Sequence, residues 1–599
     1  MTPERIVEEF PAPSFRGHQE AALEDIRDAF AAGNDVVLVR APTGSGKSLL
    51  ARAVMGTART AEEAGVGDVT GAYYTTPQVS QLDAVAEDDL LSDLAVVRGK
   101  RNYDCILPEE DTTVDRAPCT RDRDFDCDIR HKCPYFSDRA IAENRRFAAM
   151  TLAYFMRTAG SETFGPRDVV VIDEAHGLAE WAEMYATIDL DGRTVPIWDD
   201  ITVPDLDDLS TAVDFAESLA AECERRLESL RGKRQLTPAE ASERDRLAER
   251  IGELTWFVED ARDLDSATEW LLEVEGDRVS FKPLNPARYL RHTVWDRGAQ
   301  FALLSATILD KAAFCRGVGL DPAKVALVDV PHTFPLEHRP LYDVTQGRMT
   351  YEDREETVPN VARLLVRLMA RHPEEKGIVH AHSYDIAEGL RSRLAEMGVG
   401  TRVRTHGSDD REDALAAWLE SDRPDVFLSV TMEEALDLHG DLARWQVLCK
   451  APYPNTNDVR VARRLQDDQW GWYYRTTLRT VIQACGLIVR SAEDHGATYL
   501  ADSSLLDLFE RAEGDMPPWF ADQVAAMGTP DLPEFDPTAA LSGIDGASAG
   551  SGGTTARGGA SAGGSAGTAR SGRGRSGRDD AGASESDSED HPLHDVWGD

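Results

Sequence analysis

The segment richest in chemistry is Ala41-Pro-Thr43-Gly44-Ser45-Gly46-Lys47-Ser48. It follows a β-branched run at residues 35–40 and precedes a helical pattern, the context in which a glycine-rich loop cradles phosphates. Gly44 and Gly46 let backbone N–H groups turn inward around phosphate oxygens. Lys47 supplies a point charge, and the Ser48 hydroxyl is a ligand for Mg²⁺. Thr43 and Ser45 complete the candidate nucleotide-binding loop. Asp173-Glu174-Ala175-His176 follows a second apolar run, 168–172. There Asp173 is positioned to hold Mg²⁺ and Glu174 to orient and deprotonate an attacking water. Together the two segments specify ATP hydrolysis with Mg²⁺.

Two smaller signals lie near them. Ser305-Ala306-Thr307 ends a third apolar run, 300–304, as a hydroxyl-bearing turn. Gln19, within Phe15-Arg16-Gly17-His18-Gln19 upstream of the phosphate loop, carries an amide able to bond an adenine bidentately. Four cysteines, Cys105, Cys119, Cys127 and Cys133, fall within thirty residues of each other. In a chain read as cytoplasmic they point to a metal site and not to disulfides. Structural zinc sites bring Cys-x2–4-Cys pairs, which are missing here. Four thiolates from separate turns also suit an iron–sulfur cubane. Spacing alone leaves zinc and cluster both open.

The elements that must position these residues alternate short β-branched runs (35–40, 168–172, 300–304, 376–380, 425–430) with helical patterns, the signature of parallel α/β domains. Two segments interrupt the alternation: the cysteine stretch, 98–135, and a helical-looking stretch, 189–297. In the latter, Ala216, Ala220, Cys223, Leu227 and Leu230, then Leu247, Ile251, Leu254, Val258 and Ala261, recur at helical spacing. Thr237-Pro238-Ala239-Glu240 reads as an N-cap with a capping box. From Thr555 the chain turns to Gly, Ala and Ser, a composition that favours disorder. Its Trp597-bearing tip suits a docking motif for a protein partner, or is an inert tail.

Composition sets bounds. The 599 residues suffice for three or four domains. No apolar run nears the ~20 residues of a membrane span, and the N-terminus lacks a signal-peptide layout, so the chain reads as cytoplasmic with no membrane partner. The net charge is −42, with nine lysines against 56 arginines. That surface resembles those of proteins from salt-loving archaea. In high salt, long-range attraction to a polyanion is screened, so binding nucleic acid requires local arginines and base stacking.

The order of parts resembles the XPD/DinG group of superfamily 2 helicases. The resemblance rests on the phosphate loop, Asp173-Glu174-Ala175-His176 and Ser305-Ala306-Thr307. It extends to Tyr73-Tyr74-Thr75-Thr76-Pro77-Gln78, Asn102-Tyr103 before the first cysteine, Cys133-Pro134-Tyr135 at the last, Ala451-Pro452-Tyr453-Pro454, and Gln483-Ala-Cys-Gly486-Leu-Ile-Val-Arg490 with Asp494 and Gly496. It implies two RecA-like parallel-sheet domains, the first interrupted by an iron–sulfur domain and a helical arch-like insert. The corresponding divisions are 1–97, 151–188 and 298–335 for the first RecA-like domain, 98–150 for the cluster domain and 189–297 for the insert. The second RecA-like domain is 336–530 and a disordered tail is 531–599. It implies a monomeric ATP-dependent DNA helicase acting on single-stranded and forked DNA in repair or replication, with 5′→3′ polarity. It further implies a [4Fe–4S] cluster on the four cysteines, Asp437 at the nucleotide, and Gln483 and the arginine finger Arg490 facing ATP. Two departures stand out: Leu487 replaces an arginine, and Glu433-Glu434-Ala435-Leu436-Asp437 lacks a glycine. They leave open a translocase that does not unwind, or a nucleotide-gated binding factor. Trp470, Trp472, Tyr473 and Tyr474 are read as packing a core helix.

Overall fold

The computed structural model describes residues 1–65, 68–108, 110–121, 125–161, 163–233, 236–263, 268–408, 410–430, 438 and 440–549. The chain divides into two compact units, Met1–Tyr351 with Glu433–Pro530, and Glu352–Met432 with Asp531–Asp599.

The first unit is built on a seven-stranded sheet in the order Val325–Asp329, Val36–Arg40, Gly298–Ser305, Arg167–Ile172, Ala72–Thr76, Phe147–Thr151, Ala95–Val96. Every neighbouring pair is parallel. Strands covered on both faces are buried along their length, and Arg167–Ile172 is buried at all six positions, its charged start satisfied by Arg167 bonding the Ala72 carbonyl and Asp168 pairing with Arg59. The three apolar runs that precede the chemical motifs are therefore adjacent central strands. Their carboxyl ends open on one edge of the sheet, where ligands of parallel α/β folds bind. The unit also holds the parallel strands Leu341–Gly347, Ala497–Asp502 and Trp445–Leu448. The second unit holds Gly377–His380, Val426–Ser429 and Val403–Arg404, again parallel. The architecture is α/β with two RecA-like domains.

The insert differs from the wholly helical expectation. Its two helices, Leu209–Arg231 and Pro238–Arg262, form as the spacing predicts. The Thr237 capping box is made in both directions, with the Thr237 N–H donating to Glu240 at 2.8 Å. Beside them lies an antiparallel sheet, Ile188–Leu190, Arg278–Pro283, Trp270–Glu275. Its hairpin turns at Gly276, whose φ of 63° suits glycine. Phe257 stacks on Phe281 at 4.4 Å and meets Trp270 edge-on at 4.9 Å. Sheet and helices thus share one core.

Two further expectations change. The stretch 531–549 is not a featureless tail: Pro537–Ala549 is a helix, and the carbonyls of Pro533 and Ala540 accept from Arg367 and the buried Arg402 at 2.7 Å each. Residues from 550 onward, including the Trp597 tip, lie outside the described residues. The Trp470–Tyr474 aromatics do not pack a core: Trp470 is 46% exposed, and Trp472, Tyr473 and Tyr474 are half-buried.

Because Phe257 joins sheet to helices, Phe257→Ala should destabilise the insert by about 3–5 kcal/mol. Hydrogen exchange should then accelerate across Leu209–Arg231 and Trp270–Pro283, while the seven-stranded sheet stays protected.

Candidate active site

The phosphate loop leaves strand Val36–Arg40 and enters helix Lys47–Gly56 through two left-handed glycines, Gly44 at φ 79° and Gly46 at φ 82°. Conformation disfavours a side chain at both, and at Gly44 space excludes one as well. A Cβ on Gly44 would run into the Phe334 ring and lie 2.7 Å from the Arg490 carbonyl oxygen; one on Gly46 would strike the Gln19 amide. That amide is already engaged. It donates to the Ser45 carbonyl at 3.0 Å and accepts from the Arg16 N–H at 2.9 Å. In this structure Gln19 braces the phosphate loop.

Lys47 meets Glu174 at 2.9 Å. Burial opposes its charge, yet the carboxylates of Glu174 and Asp173 raise its pKa. Burial likewise opposes ionisation of Glu174, but Lys47 and His176 hold it far below the usual carboxylate range. Asp173 goes the other way: burial and the charge of Glu174 push it up. Two carboxylates thus share one ammonium in a buried site, an arrangement deficient in positive charge. The Tyr74 hydroxyl donates to Asp173 at 2.7 Å and also interacts with Ser48, so these two hard oxygen donors are close. Their chemistry and position fit Mg²⁺.

His176 joins the distant motifs. Its Nδ1 lies 2.9 Å from the Ser305 hydroxyl and 3.4 Å from Glu174, and its Nε2 accepts from the Gln483 amide at 2.7 Å. With Nε2 accepting, the proton sits on Nδ1, directed at Ser305 and Glu174. Ala41 N–H donates to the Ser305 carbonyl at 2.9 Å, tying that turn to the phosphate loop. Gln483 occupies the last turn of helix Trp470–Cys485. Arg490 follows, close enough that its charge counteracts that of Lys47, and Asp494 accepts from its N–H at 3.3 Å. Leu487, where the resemblance expects an arginine, is buried at 3% exposure.

The structure therefore brings Thr43, Gly44, Ser45, Gly46, Lys47, Ser48, Asp173, Glu174, Gln483 and Arg490 around one site, with Gln19 behind it. Asp437 and residues 433–436 lie outside the described residues. Sequence reasoning missed several partners. Besides Tyr74 and the linking role of His176, Arg479 donates to Glu180 at 2.7 Å and to the His176 carbonyl at 3.2 Å. Arg464 pairs with the buried Glu183. Arginine and glutamate at helix-face spacing read as ordinary surface residues without their partners some three hundred positions away.

The four cysteines are free thiols, Cys133 buried and the others half-buried. Burial pushes the Cys119 thiol up, and the nearby thiols of Cys127, Cys105 and Cys133 add to the rise. Tyr103, Val114, Cys133 and Tyr135 form a small core beside them. Among the described residues, no three His, Cys, Asp or Glu side chains converge on the position of a single metal ion. In kind, four thiols are the donor set of an iron–sulfur cluster as well as of zinc.

His332, beside Thr43 and Gly486 in a small cavity, packs against Phe334 at 4.8 Å and Trp519 at 5.3 Å. Burial, aided by the Arg339 charge, pushes its pKa down to about 3. A lowered folded-state pKa means that the unfolded chain takes up the proton first as pH falls below about 6.5. His332 should therefore cost the fold nothing above that pH and up to about 3 kcal/mol by pH 4. His332→Asn should flatten the loss of thermal stability between pH 6.5 and pH 4; an unchanged pH profile would refute the assignment.

Residues 365–523 match the family model of the helicase C-terminal domain. A search of curated proteins returns no match. Among solved structures, Xpd4 from S. tokodaii is 16% identical, with a TM-score of 0.54 over 86% of this chain and 100% of that one. A second XPD helicase structure is also 16% identical, with a TM-score of 0.54 over 84% and 98% of the two chains. At this identity the likeness is one of fold. No helix among the described residues is long and apolar enough to cross a membrane.

Proposed function

We propose that the chain is an ATP-dependent DNA helicase of the XPD/DinG type, acting on single-stranded and forked DNA in repair or replication, with 5′→3′ polarity. It works in the cytoplasm as a monomer, in a salt-rich interior that its acidic surface suits. The observation that carries the reading is the His176 junction. One imidazole touches the hydrolytic Glu174, the Ser305 turn and Gln483, and Gln483 lies within the helicase C-terminal match.

The chain's own residues assign the steps. The loop N–H groups and Lys47 receive the β- and γ-phosphates, drawing Lys47 away from Glu174. Relieved of that partner, the Glu174 carboxylate orients the attacking water and accepts its proton. Ser48 and Asp173 would hold Mg²⁺, which would supply charge neutralisation to the phosphates. Arg490 stabilises charge on the transferring phosphoryl group. When Glu174 gains its proton, its hold on His176 weakens, and through His176 the change reaches Gln483.

In this reading the four cysteines would hold a [4Fe–4S] cluster, supported by the nearness of the other three thiols to Cys119 and by the small core of Tyr103, Val114, Cys133 and Tyr135. Such a cluster would cross-link the stretch from Cys105 to Cys133. A second reading, a translocase that hydrolyses ATP on DNA without separating strands, is favoured by one observation. Leu487 is buried, leaving Arg490 without the second arginine that the resemblance expects.

Lys47→Ala should lower DNA-stimulated ATP hydrolysis about 100-fold or more while iron content and cluster absorption stay at wild-type levels. Retained hydrolysis would overturn the site. Cys105→Ser should lose strand separation on forked DNA and keep DNA-stimulated hydrolysis. Unwinding at the wild-type rate by that variant would remove the cluster from the mechanism, and wild-type protein that hydrolyses but never unwinds would favour the translocase.

A further inference from the structure

Helix Trp470–Cys485 has two ends of different chemistry. Its last turn presents Gln483 to His176. Its first turn carries Trp470, Trp472, Tyr473 and Tyr474, and among the described residues Trp470 is the one tryptophan left as an exposed large apolar side chain. The rings are ordered. Tyr453 lies flat on Tyr473 at 5.1 Å and 12°, and Trp470 lies near-parallel to Tyr474 at 6.3 Å and 29°. Trp470 and Tyr474 each meet Tyr473 edge-on at 6.1 Å. The exposed Arg511 sits 5.3 Å over the Tyr474 ring and donates to its hydroxyl at 2.5 Å. Trp472 faces elsewhere, with the Arg464 guanidinium 4.4 Å over its ring.

An exposed indole on a ladder of half-buried tyrosines gives the protein interior little that burial would not give it more fully. It does offer flat π-faces held at fixed angles, with one cation beside them.

We propose that Trp470, Tyr474, Tyr473 and Tyr453 form a stacking platform for unpaired bases of a single-stranded nucleic acid, with Arg511 meeting the adjoining phosphate. This rests on the reading that the chain works on nucleic acid, and it says where the strand is gripped. Stacking requires base faces released from pairing, so the ligand is single-stranded. Stacking is also the contact that survives this chain's circumstances: a net charge of −42 repels a polyanion, and salt that screens the repulsion weakens phosphate contacts too. The charge complementarity is local, in Arg511, whose hydrogen bond goes to a hydroxyl. Trp470 and Gln483 are thirteen residues apart on one rigid helix, about 20 Å. A displacement of Gln483 at the nucleotide site is therefore transmitted to the rings that hold the strand.

The test is fluorescence anisotropy with labelled oligothymidine, oligouridine and an abasic oligomer of equal length, all at one high salt concentration. Trp470→Ala should bind the two base-bearing oligomers roughly tenfold more weakly than wild type, while Trp470→Phe, which keeps a π-face, stays within about threefold. Neither should change affinity for the abasic oligomer. Loss on oligothymidine alone, or on oligouridine alone, supports the platform and assigns it to DNA or to RNA. Trp470→Ala binding like wild type overturns the platform, as does equal weakening on base-bearing and abasic oligomers. Wild-type protein that binds none of the three removes the nucleic-acid reading itself, a result distinct from failure of the platform alone.

Discussion

Everything at the candidate site depends on one electrostatic constraint: two carboxylates, the buried Asp173 and the half-buried Glu174, held against a single ammonium on Lys47. Placing that much negative charge away from water is costly unless further positive charge arrives. The parallel sheet imposes the arrangement, because strands Val36–Arg40 and Arg167–Ile172 each pair with Gly298–Ser305 and end on the same edge. Glu174 itself sits in the left-handed region at φ 48°, a conformation that the surrounding contacts must hold. Lys47 on one side and His176 on the other do so. A dication would offset the carboxylates, and phosphates entering with it would take over the Lys47 ammonium that Glu174 now holds.

His176 turns that local balance into a connection. One ring reaches Glu174, Ser305 and Gln483, and the Arg479 bonds to Glu180 and to the His176 backbone reinforce the same junction. The pair Arg464–Glu183 adds a buried tie from the helix after Asp458 to the helix that follows the Asp-Glu pair. Buried pairs of this kind add little net stability but are costly to break one-sidedly. They therefore act as geometric stops, fixing where Gln483 stands relative to Glu174.

The sequence was most legible where function constrains the backbone locally. Gly44 and Gly46 are spaced by the turn they make, and the β-branched runs before the motifs became the central strands. The Thr237 cap and the helical faces of the insert followed from spacing as well. What was hidden is non-local. The Tyr74–Asp173 bond spans 99 positions and His176–Gln483 spans 307, distances at which residue type carries no pairing information. The insert's antiparallel sheet is hidden because three short strands beside long helices leave a weak alternation. The aromatic run at 470–474 was assigned to a core because bulk usually means burial, whereas here the helix start projects those rings from the packed layer. Gln19 shows the opposite limit: its position ahead of the phosphate loop was informative, while its bonds to Arg16 and Ser45 are visible in the structure alone.

The net charge of −42 and the ordered aromatic rings with Arg511 beside them fit one physical picture, in which long-range attraction contributes little and short-range contacts decide binding. The central claim is that nucleotide hydrolysis and nucleic acid are coupled through this junction. Its most direct measurement is the steady-state rate of ATP hydrolysis by the full wild-type chain at molar salt, titrated with single-stranded oligonucleotide. Turnover that rises severalfold and saturates with the oligonucleotide is the predicted result. Turnover indifferent to nucleic acid across the titration, or no turnover at all, would contradict the account.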